Sequence, residues 1–157
     1  MKAQLVFLAV AGLCLTAGAD ETDKTKADLK QMQGEWRIAS IEADGQNVTS
    51  DLASQVLRDV LVRIEKDKIA LVSSAGSAIV STELILNAEA IPKAADFKPT
   101  EDTLGVFNGE SMWGIYELAK DELKICVSTN TAIKQRPVEF KTQPGSEVYL
   151  VTLKRMP

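Results

Sequence analysis

An all-β domain with one or two short helices, folded as a small antiparallel barrel or sandwich, is what the sequence predicts. Three observations carry that reading. Runs of apolar and β-branched residues recur at hairpin spacing from Val60 onward, divided by turn signals, with none of the strand–helix alternation that builds a parallel sheet. Within residues 113–128, WGIYELAKDELKICVS, one antiparallel register makes chemical sense: the turn Ala119-Lys120-Asp121-Glu122 sets Leu118 opposite Leu123, Glu117 opposite Lys124 and Tyr116 opposite Ile125. Tyr116, Leu118, Leu123, Ile125 and Val127 then face inward, while Glu117 and Lys124 pair on the outer face. Asn108-Gly109, between 103–107 and 110–118, is the strongest short hairpin signal, because both residues tolerate positive φ.

In chain order, residues 1–19 have the layout of an export signal: Lys2, an apolar run over 5–15, and Ala17-Gly18-Ala19 before Asp20, with cleavage after Ala19. The run is shorter than the roughly 20 apolar residues a spanning helix needs. Leu13 before Cys14 stands where a lipoprotein site requires a small residue. Cleavage removes one of the 18 basic residues and none of the 22 acidic ones, leaving 17 against 22 and a net charge of −5. An acidic exported chain is a poor partner for nucleic acid or an anionic membrane. Only Cys126 remains, so no intramolecular disulfide forms, and the length suits one domain held by its own core.

Residues 20–26, DETDKTK, read as a disordered lead-in to a domain over 27–157. A helical turn or two is expected over 27–33, with Leu29 and Met32 on one side. Gly34-Glu35-Trp36 opens a strand that runs to Ile41 and ends at the Asp44-Gly45 turn. Over 47–59 the period changes: Leu52, Val56, Leu57 and Val60 mark a short amphipathic helix behind Thr49 or Ser50 as N-cap. Asn47-Val48-Thr49 also matches a glycosylation sequon, a pattern common by chance. Strands follow at 60–65, 68–73 and 78–86, with turns at Lys66-Asp67 and 74–77. Residues 87–97 are less regular, and Pro99 restricts any strand there to an edge or an end. After the 113–128 hairpin come a polar loop over 129–135, a short strand over 137–141, a Pro144-Gly145 turn, and a closing strand over 148–154.

Taken in order, several segments resemble a bacterial lipocalin-like domain family, found in many copies in planctomycetes and of uncharacterised function. They are LKQMQGEWR (29–37), IPKA (91–94), GIYEL (114–118), DELKIC (121–126), RPVEF (136–140), PGS (144–146) and LKR (153–155). Between 97 and 112 this chain departs from that family, with Pro99 and Asn108-Gly109 in a stretch expected to be shorter and richer in glycine. The resemblance implies a lipocalin-like barrel and an exported location, and supplies no catalytic residue. It also implies that Trp36, in the Gly-x-Trp of the first strand, packs under Arg155 of the last, a structural contact closing the barrel floor.

Chemistry is sparse. With no histidine the usual catalytic triads, the commonest general base and most zinc sites are absent. Cys126 lies mid-strand and reads as a small buried hydrophobe; Lys124 on its strand face is the one feature favouring a reactive thiol. Glu83, Glu89, Asp96 and Glu101-Asp102 have no calcium-loop spacing, and read as solvated rim charges. No enzyme activity, cofactor or metal is therefore expected. The aromatic residues Phe107, Trp113, Tyr116 and Phe140 gather on or beside the hairpin. In a barrel, Phe107, Tyr116, Ile125 and Phe140 would line an interior that is either filled or open to one small ligand. The expected function is an exported module, periplasmic or extracellular, that binds a small, partly apolar molecule. The alternative is a non-enzymatic envelope module with a packed interior and a protein partner on its outer surface.

Overall fold

The computed structural model describes residues 22–49, 60–102, 109–132 and 134–157. The export signal, all but the start of the helix expected over 47–59 and the strand expected over 103–107 lie outside the described residues. Among the described residues one helix, α1 (Asp23–Met32), precedes nine strands: β1 (Gly34–Ala43), β2 (Gln46–Asn47), β3 (Val60–Glu65), β4 (Lys68–Ser73), β5 (Ala78–Asn87), β6 (Ala94–Asp102), β7 (Met112–Leu118), β8 (Glu122–Ser128) and β9 (Val148–Arg155). Every pairing is antiparallel. The order is β2-β1-β3-β4-β5-β6-β7-β8-β9, and β1 also pairs with β9. β2 is a two-residue return on β1 through the Asp44-Gly45 turn. Without it, the β1–β9 pairing closes eight strands into an up-and-down barrel.

Alternation places the core. On β5, Val80, Thr82, Leu84 and Leu86 are buried and the residues between them are not. β7 and β8 pair in the register expected from charge and pattern: Tyr116 faces Ile125, Leu118 faces Leu123, and the Lys124 ammonium lies 3.4 Å from Glu117 on the outer face. β1 differs from a simple alternation. Its pairing with β9 shifts between Ile38 and Ser40, a bulge that restarts the period so that Trp36, Ile38 and Ile41 all turn inward.

Three expectations need correction. The lead-in over 20–26 and the helix over 27–33 give way to one helix from Asp23, because tertiary partners hold its first turns: Thr25 is buried and its hydroxyl accepts the Ala88 N–H at 3.1 Å, while Lys24 reaches Glu89 at 3.2 Å. Low hydrophobicity in that stretch predicts disorder only where no neighbour supplies such contacts.

The second correction is β6, which continues through Pro99 to Asp102. Its pairing with β7 is described only as far as Phe97, and its pairing with β5 shifts beside Pro99, between Ser81 and Thr82. Proline's missing donor therefore falls at an irregularity of the ladder.

Third, the strand expected over 137–141 does not form. β8 is already paired on both sides by β7 and β9, so no edge is left for it, and the segment lies across the outer face instead. The Pro144-Gly145 turn forms as expected, closed by the Ser146 N–H on the Gln143 carbonyl at 3.0 Å.

Candidate functional site

The barrel interior has two zones. At the end covered by α1 the packing is tight: Trp36, Met32, Ile64, Leu123, Leu153 and Tyr116 are all at most 2 % exposed. Trp36 donates its indole N–H to the Met32 carbonyl at 2.8 Å, and the Arg155 guanidinium lies 4.1 Å above its ring. Arg155 in turn donates to the carbonyls of Gln31, Gln33 and Lys120, tying helix, first strand and β7–β8 turn together. Gly34 fits here for two reasons: its φ is +116°, and Arg155 Nη1 stands 3.5 Å from where a Cβ would sit. Gln33 adds a clasp, donating to the Leu29 and Lys66 carbonyls and accepting the Lys66 N–H.

Away from this floor the interior opens into a cavity of about 230 Å³. Its wall draws on all eight strands of the barrel: Ile38 and Ile41 of β1, Val62 of β3, Ile69, Ala70 and Leu71 of β4, Val80 and Thr82 of β5, Phe97 of β6, Met112 of β7, Ile125 and Val127 of β8, and Val151 and Leu153 of β9. Ile38, Ile69, Leu71 and Val151 pack on the core yet are only partly buried, as walls of an open space are. Among the described residues no charged side chain contributes to the lining, and Thr82 is its single polar residue.

The residues expected to bind a ligand do not all meet there. Ile125 lines the cavity. Tyr116 faces inward but belongs to the tight zone. Its hydroxyl donates to Asp28 Oδ2 at 2.7 Å, and the same oxygen receives the Lys93 ammonium at 2.7 Å. Burial, then the hydrogen bond and negative charge of Asp28, push the phenol well above its ordinary pKa. There it serves as a strut between β7 and the helix, apart from the residues that line the cavity.

Phe140 is outside the barrel: with Val148 it packs on Ile115, Cys126 and Leu150, a second apolar cluster on the outer face of β7, β8 and β9. The missing strand explains this, since a segment with no edge to join buries its apolar residues against an outer wall. Phe107 lies outside the described residues.

Sequence reasoning passed over Ile38, Ile69, Leu71, Val80 and Thr82. For Val80 and Thr82 the signal was present in the period-2 alternation of β5, where Thr82 stands in an otherwise aliphatic inward series.

Other chemistry is dispersed. The Cys126 thiol is fully buried, bonds the Glu139 carbonyl at 3.6 Å, and is raised in pKa by burial, the state of an unreactive cysteine. Glu83 pairs with Lys98, Glu89 with Lys24 and Asp96 with Arg136. Among the described residues no group of acidic or cysteine side chains is arranged to hold a metal ion. Against known proteins, no family model, no curated protein and no solved structure matches the chain.

Proposed function

We propose that this protein is an exported, lipocalin-like carrier that binds one small, largely apolar molecule inside its barrel. The observation that carries the reading is the cavity of about 230 Å³ beneath partly buried aliphatic walls. An apolar cavity of about 150 Å³ already suffices to take up benzene, whereas drug-sized ligands occupy roughly 300–1,000 Å³. A compact ligand of one or two rings suits the space. Burial of its surface supplies the affinity, at roughly 25 cal/mol per Å² before the costs of association. The export signal and the segments resembling the planctomycete lipocalin-like family support the carrier reading and its periplasmic or extracellular setting. The cavity favours it over an envelope module with a filled interior.

Methyl NMR of the purified protein titrated with tetralin should show saturable shifts confined to Ile38, Val80, Ile125, Val127 and their neighbours. Native mass spectrometry of protein isolated from its own export compartment should show a small bound molecule. No saturable shifts and no co-purifying species would dispose of the carrier reading.

A further inference from the structure

The inward row of β9 runs Leu153, Val151, Tyr149 from floor to mouth. Leu153 and Val151 line the cavity, while the residues on either side of Tyr149, Val148 and Leu150, pack on the outer cluster with Cys126. The register agrees on both flanks. Tyr149 pairs with Val127 of β8, a lining residue, and with Ala43, the last residue of β1 and its next inward place after Ile41. Its phenol therefore belongs to the inner face, one inward step or about 7 Å above Val151, at the end of the barrel opposite Trp36 and Arg155.

Unlike the residues below it, Tyr149 is 37 % exposed, so water reaches its side chain. The two tyrosines also differ in their hydroxyls: that of Tyr116 is committed to Asp28, whereas that of Tyr149 has no hydrogen-bond partner among the described residues. A ring with a polar tip suits a boundary between hydrocarbon and water. Val127 and Val151 line the cavity and are its direct neighbours, so a molecule seated on them meets the phenol at its upper end.

We infer that the ligand is amphipathic: its hydrocarbon body fills the cavity, and a carbonyl oxygen at one end takes a hydrogen bond from the Tyr149 hydroxyl at the mouth. This rests on the carrier reading and adds the ligand's class and orientation to it. A phenol both donates and accepts, and a carbonyl oxygen accepts, so the pair is complementary. The same oxygen drawn down among the aliphatic walls would lose its hydration, whereas at the mouth it keeps part of it.

A matched pair tests this: 6-ethyltetralin and 6-acetyltetralin, alike but for one carbonyl oxygen, titrated beside tetralin into the purified parent protein and Tyr149→Phe. The chain has two tyrosines, so ring-labelled tyrosine gives two sets of NMR signals, assigned through Tyr149→Phe. Acetyltetralin should shift the Tyr149 signals and leave those of Tyr116 in place. Tyr149→Phe should weaken acetyltetralin by about 2- to 13-fold, the worth of one net hydrogen bond, and leave ethyltetralin within about twofold. The variant should melt with the parent, because the side chain it alters is partly exposed. Equal effects of Tyr149→Phe on the two compounds, or Tyr149 signals that acetyltetralin does not move, would overturn the inference and leave the carrier reading standing. Failure of both compounds to bind a parent that takes up tetralin would do the same. Failure of all three would overturn both.

Discussion

Trp36 shows what one side chain does at the floor of this barrel. Its ring is fully buried, its N–H is bonded to the turn at the end of the helix, and its face is covered by Arg155. Trp36→Ala should therefore cost about 3–5 kcal/mol, read as a lower midpoint in denaturant unfolding. Tyr116 makes a different, pH-dependent contribution. Its pKa is raised in the folded state, chiefly by burial and then by Asp28, so the unfolded phenol ionises first. Stability from this group is complete below the ordinary tyrosine pKa of about 10 and falls as pH rises beyond it. Tyr116→Phe should flatten that alkaline loss while costing about 1.5–3 kcal/mol at neutral pH, the worth of a hydrogen bond to a charged acceptor. Urea unfolding at several pH values up to the alkaline range separates the two effects.

At the scale of elements, the β7–β8 hairpin and the segment outside it answer to different tests. Exchanging the charges of Glu117 and Lys124 should change stability by less than about 1 kcal/mol, because the pair lies on the surface. Ile125→Asp should unfold the domain or nearly so, since it puts a carboxylate on the inward face. Tolerance of that change, checked by circular dichroism, would mean the inward face is wrongly assigned. The outer segment is pinned by Arg136, which donates to the Gly114 carbonyl at 2.7 Å and pairs with Asp96. Gly114 itself permits close packing, for a Cβ there would meet the Cys126 carbonyl at 2.8 Å. Since this segment covers Cys126, Arg136→Ala should speed thiol labelling of the folded protein while shifting the unfolding midpoint little.

For the whole molecule, closure by β1 and β9 leaves an interior divided into a packed floor and an open upper part. Floor and wall should differ in hydrogen exchange, with amides of β1 and β9 near Trp36 and Arg155 opening last. The open part tolerates added volume. Val80→Phe should keep the fold, because its ring has a cavity to enter, and should abolish tetralin binding; overpacking would show instead as a fall of about 1–3 kcal/mol. Thermal melts beside the methyl NMR titration distinguish these outcomes.

Local chemistry in the sequence determined much of this barrel: the hairpin register, because Glu117 and Lys124 and the apolar residues around them agree on one pairing; the strands over 60–65 and 68–73, because β-branched and aliphatic residues fill them between clear turn signals; and several turns, because Gly, Asp and Pro stand where backbone geometry requires them. Other features depended on partners far away in the chain. The helix begins at Asp23 because Thr25 finds Ala88, and Phe140 lies outside because β8 has no free edge. The site was only partly legible for the same reason. Period 2 assigns a residue to the inner face, as it did for Tyr116 and Ile125, but its height along the barrel axis follows from strand stagger and from the bulge in β1. That height, decided by the tertiary structure alone, places Tyr116 in the packed floor and Ile125 and Thr82 at the cavity.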